Sequence, residues 1–158
     1  MRGVAAWSVV FLGIGLAVGA RTLLAESAEA PLAPRISRAK ELSFRSPPQI
    51  PSLSSAWAVG EEGGSGLYVL RVRLAPGGVI PPHTHPDDRV TTVISGKLSV
   101  GFGDVVDTSR AQTAGAGDSY VVAAGQPHFL VAQQDAVEYQ EVGHGRTGTQ
   151  MIIPPEAR

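Results

Sequence analysis

His83 and His85 stand one residue apart in the stretch PPHTHPDDRVTTVISG, residues 81–96, and a third histidine, His128, follows a Gly125-Gln126-Pro127 turn. Imidazole is the commonest protein ligand for a transition metal. Residues i and i+2 of an extended strand project from the same face, so His83 and His85 point together. Pro81 and Pro82 stiffen the approach to them by fixing φ. His128 begins another extended run, and in a closed barrel it could face the pair. Three neutral imidazoles with water in the remaining position make an open site for a divalent ion such as zinc, and imidazole equally suits iron, copper and nickel. A His-x-His pair alone is a short motif that occurs by chance in solvated loops, so the third histidine matters.

Arg89 works against a metal. Its guanidinium neither deprotonates nor ligates, and an unpaired positive charge repels a cation at close range. Three arrangements stay open on the sequence. Asp87 or Asp88 can pair with Arg89 or supply a carboxylate ligand. Arg89 can instead turn to the barrel rim and bind an anionic substrate in bidentate fashion while the histidines hold the metal. Or the site holds no metal, and the histidines and Arg89 together bind an anion.

Other candidates carry less. His144 lies among glycines in GHGRTG and reads as a solvated loop residue. The Gly-x-Gly of GFGD, residues 101–104, is followed by no helix and so lacks phosphate-cradling geometry. In the late run AVEYQEV, Glu138, Gln140 and Val142 share one face and Val137, Tyr139 and Glu141 the other; the sequence does not say which faces inward. No serine sits in a recognisable nucleophile turn.

The elements that must position these residues are strands. LYVLRVRLA, residues 67–75, puts Tyr68, Leu70, Val72 and Leu74 on one face and Arg71 and Arg73 on the other. RVTTVIS and KLSVGFG are separated by Ser95-Gly96, which predicts a hairpin. SYVVA, HFLVAQ, AVEYQEV and TQMII continue the series. Nineteen glycines, twelve prolines and few aromatics favour many turns. Short strands at regular spacing predict an all-β sandwich or barrel.

At this point the chain resembles the cupin superfamily. Gly77, five residues, His83-Thr84-His85, three residues, Arg89, six residues and Gly96 resemble its first motif; Gly117, Gly125 and His128 resemble its second. The match extends over roughly residues 65 to 145. Arg89 stands where the family places a glutamate ligand, Ala123 where it places a proline and Ala132 where it places an asparagine. The resemblance implies a double-stranded β-helix, or jelly-roll barrel, with His83, His85 and His128 converging on a divalent metal: zinc, iron, manganese, nickel or copper. It implies a small metal-binding protein acting on a small oxygenated or anionic substrate that Arg89 orients; the N-terminal stretch read below adds a place in the bacterial envelope. If catalytic, it would be a metal-dependent oxygenase or isomerase-like cupin. A non-catalytic ligand-binding or sensor module is the alternative, because this scaffold hosts many functions. Dimerisation is a further implication, since cupins often pair through sheet edges.

Composition sets the surroundings. A formal charge of −1 without a lysine-arginine cluster gives no basis for nucleic acid as a partner. The absence of cysteine removes disulfides, thiolate nucleophiles and sulfur ligands. A short basic start, an uncharged stretch from Gly3 to Ala20 and the small residues after it predict a secretory signal over residues 1–25, with a cut between 20 and 30, or else an inner-membrane anchor. The body is then expected to be periplasmic or secreted. Prolines at 31, 34, 47, 48 and 51 mark residues 26–55 as a linker, and residues 56–153 form the barrel domain.

Overall fold

The computed structural model describes residues 33–153. The signal or anchor expected over residues 1–25 lies outside them. Ten strands form two five-stranded antiparallel sheets. The first sheet runs β1 (Leu53–Val59), β2 (Leu67–Leu74), β9 (Val137–His144), β4 (Arg89–Ser95) and β7 (Ser119–Val122). The second runs β10 (Gln150–Met151), β3 (Val79–Thr84), β8 (His128–Ala132), β5 (Lys97–Phe102) and β6 (Gln112–Gly115). This is the all-β architecture that the strand spacing predicts, in the jelly-roll form that the resemblance implies. Among the described residues no helix is long and apolar enough to cross a membrane.

Alternation decides which side chains enter the barrel. Tyr68, Val72 and Leu74 are buried, whereas Leu67 and Arg73 on the opposite face are exposed. On β9 the inward set is Val137, Tyr139 and Glu141, which settles the face that the sequence left open. The apolar core includes Val72, Leu74, Val93, Leu98, Leu130 and Tyr139. Full burial of such a side chain contributes about 1.5–3 kcal/mol.

The Ser95-Gly96 turn does not make a hairpin. β4 pairs with β7 and β9, while β5 pairs with β6 and β8, so the chain crosses from one sheet to the other at Gly96. Gly96 takes φ +77°, and a Cβ there would lie 2.3 Å from the carbonyl oxygen of Ala136. Only glycine fits so tight a corner. The turn signal is real, but two-residue connections also link sheets in a barrel.

Ahead of the barrel, residues 33–52 lie along its surface. The backbones of Arg45 and Ser55 exchange two hydrogen bonds of 2.9 Å, and the Arg73 guanidinium carbon lies 3.7 Å from the Phe44 ring centroid. The first strand begins at Leu53, inside the range that proline content assigns to a linker.

Candidate metal centre

The second sheet supplies all three histidines. His83 lies on β3, His85 just past its end, and His128 opens β8 directly across from His83 in register. The register slips between Ile80 and His83, where Pro81 and Pro82 interrupt the ladder. Such a bulge re-aims the side chains that follow it. The three imidazoles are 1–4% exposed, and their ligand atoms all lie within 4.8 Å of one another. Ring centroids are 4.1 Å apart for His83 and His128, 4.8 Å for His83 and His85, and 5.1 Å for His85 and His128.

Each ring is held by its other nitrogen. Nδ1 of His83 lies 2.8 Å from the carbonyl of Pro81, Nδ1 of His85 2.7 Å from that of Gly148, and Nδ1 of His128 3.1 Å from that of Gln126. A carbonyl oxygen only accepts, so each Nδ1 carries the proton and each Nε2 keeps its lone pair. This is the outer hydrogen bonding that orients ligating histidines. Nε2 of His85 is sealed from solvent and has no hydrogen-bond partner among the described residues. An orphaned lone pair within 4.8 Å of ligand atoms of two further imidazoles fits a metal ion. Burial, followed by the charge of a protonated His128, lowers the His83 pKa to about 4. Burial and then Arg89 lower that of His85 to about 3, and burial also lowers that of His128. All three are therefore neutral at pH 7, as a metal ligand must be.

The first sheet faces the histidines with a buried ionic cluster. Arg89, 3% exposed, donates from Nη1 to Glu141 Oε2 at 2.7 Å, and from Nη2 to Asp87 Oδ1 at 2.9 Å and to Thr147 Oγ1 at 2.6 Å. The Tyr68 hydroxyl donates to Asp87 Oδ2 at 2.5 Å. Burial pushes the Asp87 carboxyl upward, but the Tyr68 hydrogen bond and Arg89 outweigh it and the net shift is downward. Burial raises Glu141 despite Arg89 beside it, and it pushes Tyr68 up to about 12. Gly143 makes room for this cluster: a Cβ there would lie 2.4 Å from the Tyr68 hydroxyl oxygen. Asp88 turns away and accepts from the Ala124 backbone at 2.7 Å.

A cavity of about 480 Å³ opens against the site. His83, His85, Arg89 and Glu141 line its polar side, and Trp57, Leu70, Val72 and Ile80 its apolar side. Arg45, Gln49 and Ile50 from the leading segment also line it.

Of the residues singled out in the sequence, His83, His85 and His128 come together, and Arg89 lies inside the barrel with its charge already paired. His144 is exposed at the end of β9. Glu141 and Tyr68 are members of the site that the sequence did not single out. For Glu141 the signal was its company, because Val137 and Tyr139 share its face.

Comparison with known proteins agrees with this geometry. A family model described as Cupin matches residues 54–155. Germin-like protein subfamily 1 member 3 of Arabidopsis thaliana is 35% identical over 112 residues, covering 67% of this chain and 45% of that protein. Germin-like protein 3-1 of Oryza sativa subsp. japonica is 41% identical over 66 residues, covering 41% and 29%. The chain thus spans less than half the length of these relatives. Among solved structures, the polyketide cyclase RemF from Streptomyces resistomycificus superposes with TM-score 0.64 at 16% identity, over 79% of this chain and 89% of that one. A Klebsiella pneumoniae protein with a double-stranded β-helix domain gives 0.60 at 21%, over 77% and 99%. At such identities the likeness is one of fold.

Proposed function

Because the chain belongs to the cupin family, we propose that it is a metal-binding member in which His83, His85 and His128 hold one divalent ion and the adjoining cavity admits a small oxygenated or anionic molecule. The observation that carries this is the shared hydrogen bonding of the three rings, which leaves three Nε2 lone pairs aimed at a common volume. Three protein ligands leave positions open for a substrate, which favours a metal-dependent enzyme of the oxygenase or isomerase kind over a binding module with a closed site. A bound ion would polarise an oxygen of the substrate.

The chain's own residues do the rest. Arg89 already holds two carboxylates, so its attraction for a further anion is modest. Its part is to fix Glu141 and to offer the remaining Nη1 hydrogen to a substrate oxygen. Trp57, Leu70 and Ile80 exclude water from the cavity's far wall.

Export to the periplasm or the exterior is part of the same proposal, supported by the uncharged stretch from Gly3 to Ala20. So is pairing of two copies. Val59, Val69, Val142, Val90 and Val121 sit side by side across all five strands of the first sheet, and the last two are 45% and 64% exposed. An apolar row ending on the short edge strand β7 suits a self-complementary contact.

Elemental analysis of the purified chain beside His83→Ala, His85→Ala and His128→Ala tests the metal assignment. About one divalent ion per wild-type chain, lost in each variant, is expected; equal content in all four overturns it.

A further inference from the structure

Two buried carboxylates flank Arg89, and they differ in what is left free. Asp87 has both oxygens taken, Oδ2 by the Tyr68 hydroxyl and Oδ1 by Arg89, and it does not line the cavity. Glu141 gives Oε2 to Arg89. Its Oε1 accepts from no described residue, yet it is not among the buried polar atoms sealed without a partner, and Glu141 is part of the cavity wall. The free oxygen therefore opens into the space that the histidines also line. Glu141 lies outside the group of side chains close enough to share an ion. The other acidic residue on the lining, Glu62, is exposed.

We propose that Glu141 is the proton acceptor of this cavity, its Oε1 taking the proton of a hydroxyl that a substrate or water presents beside the three imidazoles. The proposal rests on the metal-site assignment above and narrows the substrate class to small molecules bearing an ionisable hydroxyl. The step balances: the O–H bond breaks, its electron pair stays on the oxygen, and the proton bonds to Oε1, turning carboxylate into carboxylic acid. Arg89 is the positioning residue, since its bond to Oε2 leaves only Oε1 to react. Arg89, Asp87, Tyr120 and Tyr139 are the charged and titratable groups around Glu141. Burial favours the protonated form of Glu141, consistent with a role in accepting protons.

Cobalt(II) gives a readout that needs no known reaction. The full chain is loaded with cobalt, and its visible absorption is followed against pH for wild type, Glu141→Gln and Glu138→Gln, the last removing a charge from the opposite face of the same strand. Glutamine keeps an acceptor oxygen for Arg89. In Glu141→Gln we expect undiminished cobalt content and a spectral midpoint lowered by about one pH unit, or abolished, because a nearby negative charge opposes ionisation at the site. In Glu138→Gln the midpoint stays in place. An unmoved midpoint in Glu141→Gln overturns the proposal. Loss of cobalt as severe as in His83→Ala also overturns it, by making Glu141 a ligand. Cobalt missing from the wild type defeats the metal assignment and this proposal together, and the wild-type trace alone identifies that case. Should Glu141→Gln not fold, infrared difference spectra of the wild type across the same pH range decide: a protonated-carboxyl band that grows in only below the cobalt transition is expected, since Glu141 is ionised through that transition, and its absence overturns the proposal.

Discussion

Arg89 on β4 and Glu141 on β9 meet at 2.7 Å inside the barrel, tying two neighbouring strands of the first sheet beside the histidines of the second. With Asp87 counted, one guanidinium serves two carboxylates, so the ionised cluster carries a net negative charge where the wider cupin pattern has a single glutamate. Arg89 thus need not repel a metal.

Removing that arginine exposes the arrangement energetically. Arg89→Met leaves Asp87 and Glu141 buried without their cation, and breaking a buried pair from one side costs about 3–5 kcal/mol. Chemical denaturation should show that loss, with part of it recovered when Glu141→Gln is added.

Arg89→Glu behaves differently. It places three acidic groups around the site, so the metal-free protein is destabilised, while metal retention tightens through the added carboxylate. The gap between the melting temperatures of the metal-free and zinc-loaded forms should widen relative to wild type. An unchanged or narrower gap would put residue 89 out of the ion's reach.

Acid sensitivity follows from the histidines. Their pKa values are lowered in the native state, to about 4 for His83 and about 3 for His85, from an unfolded value of 6.5. Between those limits the unfolded chain binds more protons, so stability rises with pH. The metal-free protein should be fully stable above pH 6.5 and lose up to about 1.4 kcal/mol per pH unit for each histidine as pH falls below it. Denaturation midpoints at several pH values check this, and His83→Asn should flatten the slope by one proton.

Gly143→Ala tests the crowding around Tyr68. The added methyl would lie 2.4 Å from the Tyr68 hydroxyl oxygen, and that ring must shift away from Asp87. A loss of about 1–3 kcal/mol is expected from overpacking. A melting temperature equal to the wild type's would mean that the tyrosine yields freely.

The valine row predicts an oligomeric state. Val90→Lys with Val121→Lys should turn a sedimenting dimer into a monomer without changing the circular dichroism spectrum. A wild type that sediments as a monomer removes the pairing surface.

Much of this was legible in the sequence, for physical reasons. Period-two alternation in LYVLRVRLA placed Tyr68, Val72 and Leu74 inward, because a strand has only two faces. The spacing of His83 and His85 put two members of the cluster on one face, and the resemblance to the cupin motifs supplied His128 as the third. Ser95-Gly96 reads as a hairpin because a tight turn fixes the local chain reversal but not the partners of the strands it joins, which are β7 and β9 for β4 and β6 and β8 for β5. β1 and β3 were hard to see, since LSSAWAV mixes serines and alanines with its larger apolar residues and shows no clear alternation, and VIPPHT contains prolines that usually interrupt a strand. The partners of Arg89 were half visible: Asp87 is two residues away, whereas Glu141 lies fifty-two residues on and reaches it only through the β4–β9 pairing.

X-ray absorption spectroscopy on the zinc-loaded chain tests the central claim most directly, because it counts imidazoles at the ion. Three nitrogen ligands at about 2.0–2.1 Å with imidazole scattering are expected, one fewer in His128→Ala. A zinc spectrum without imidazole scattering, or one that His128→Ala leaves unchanged, would contradict the convergence of His83, His85 and His128 on one ion.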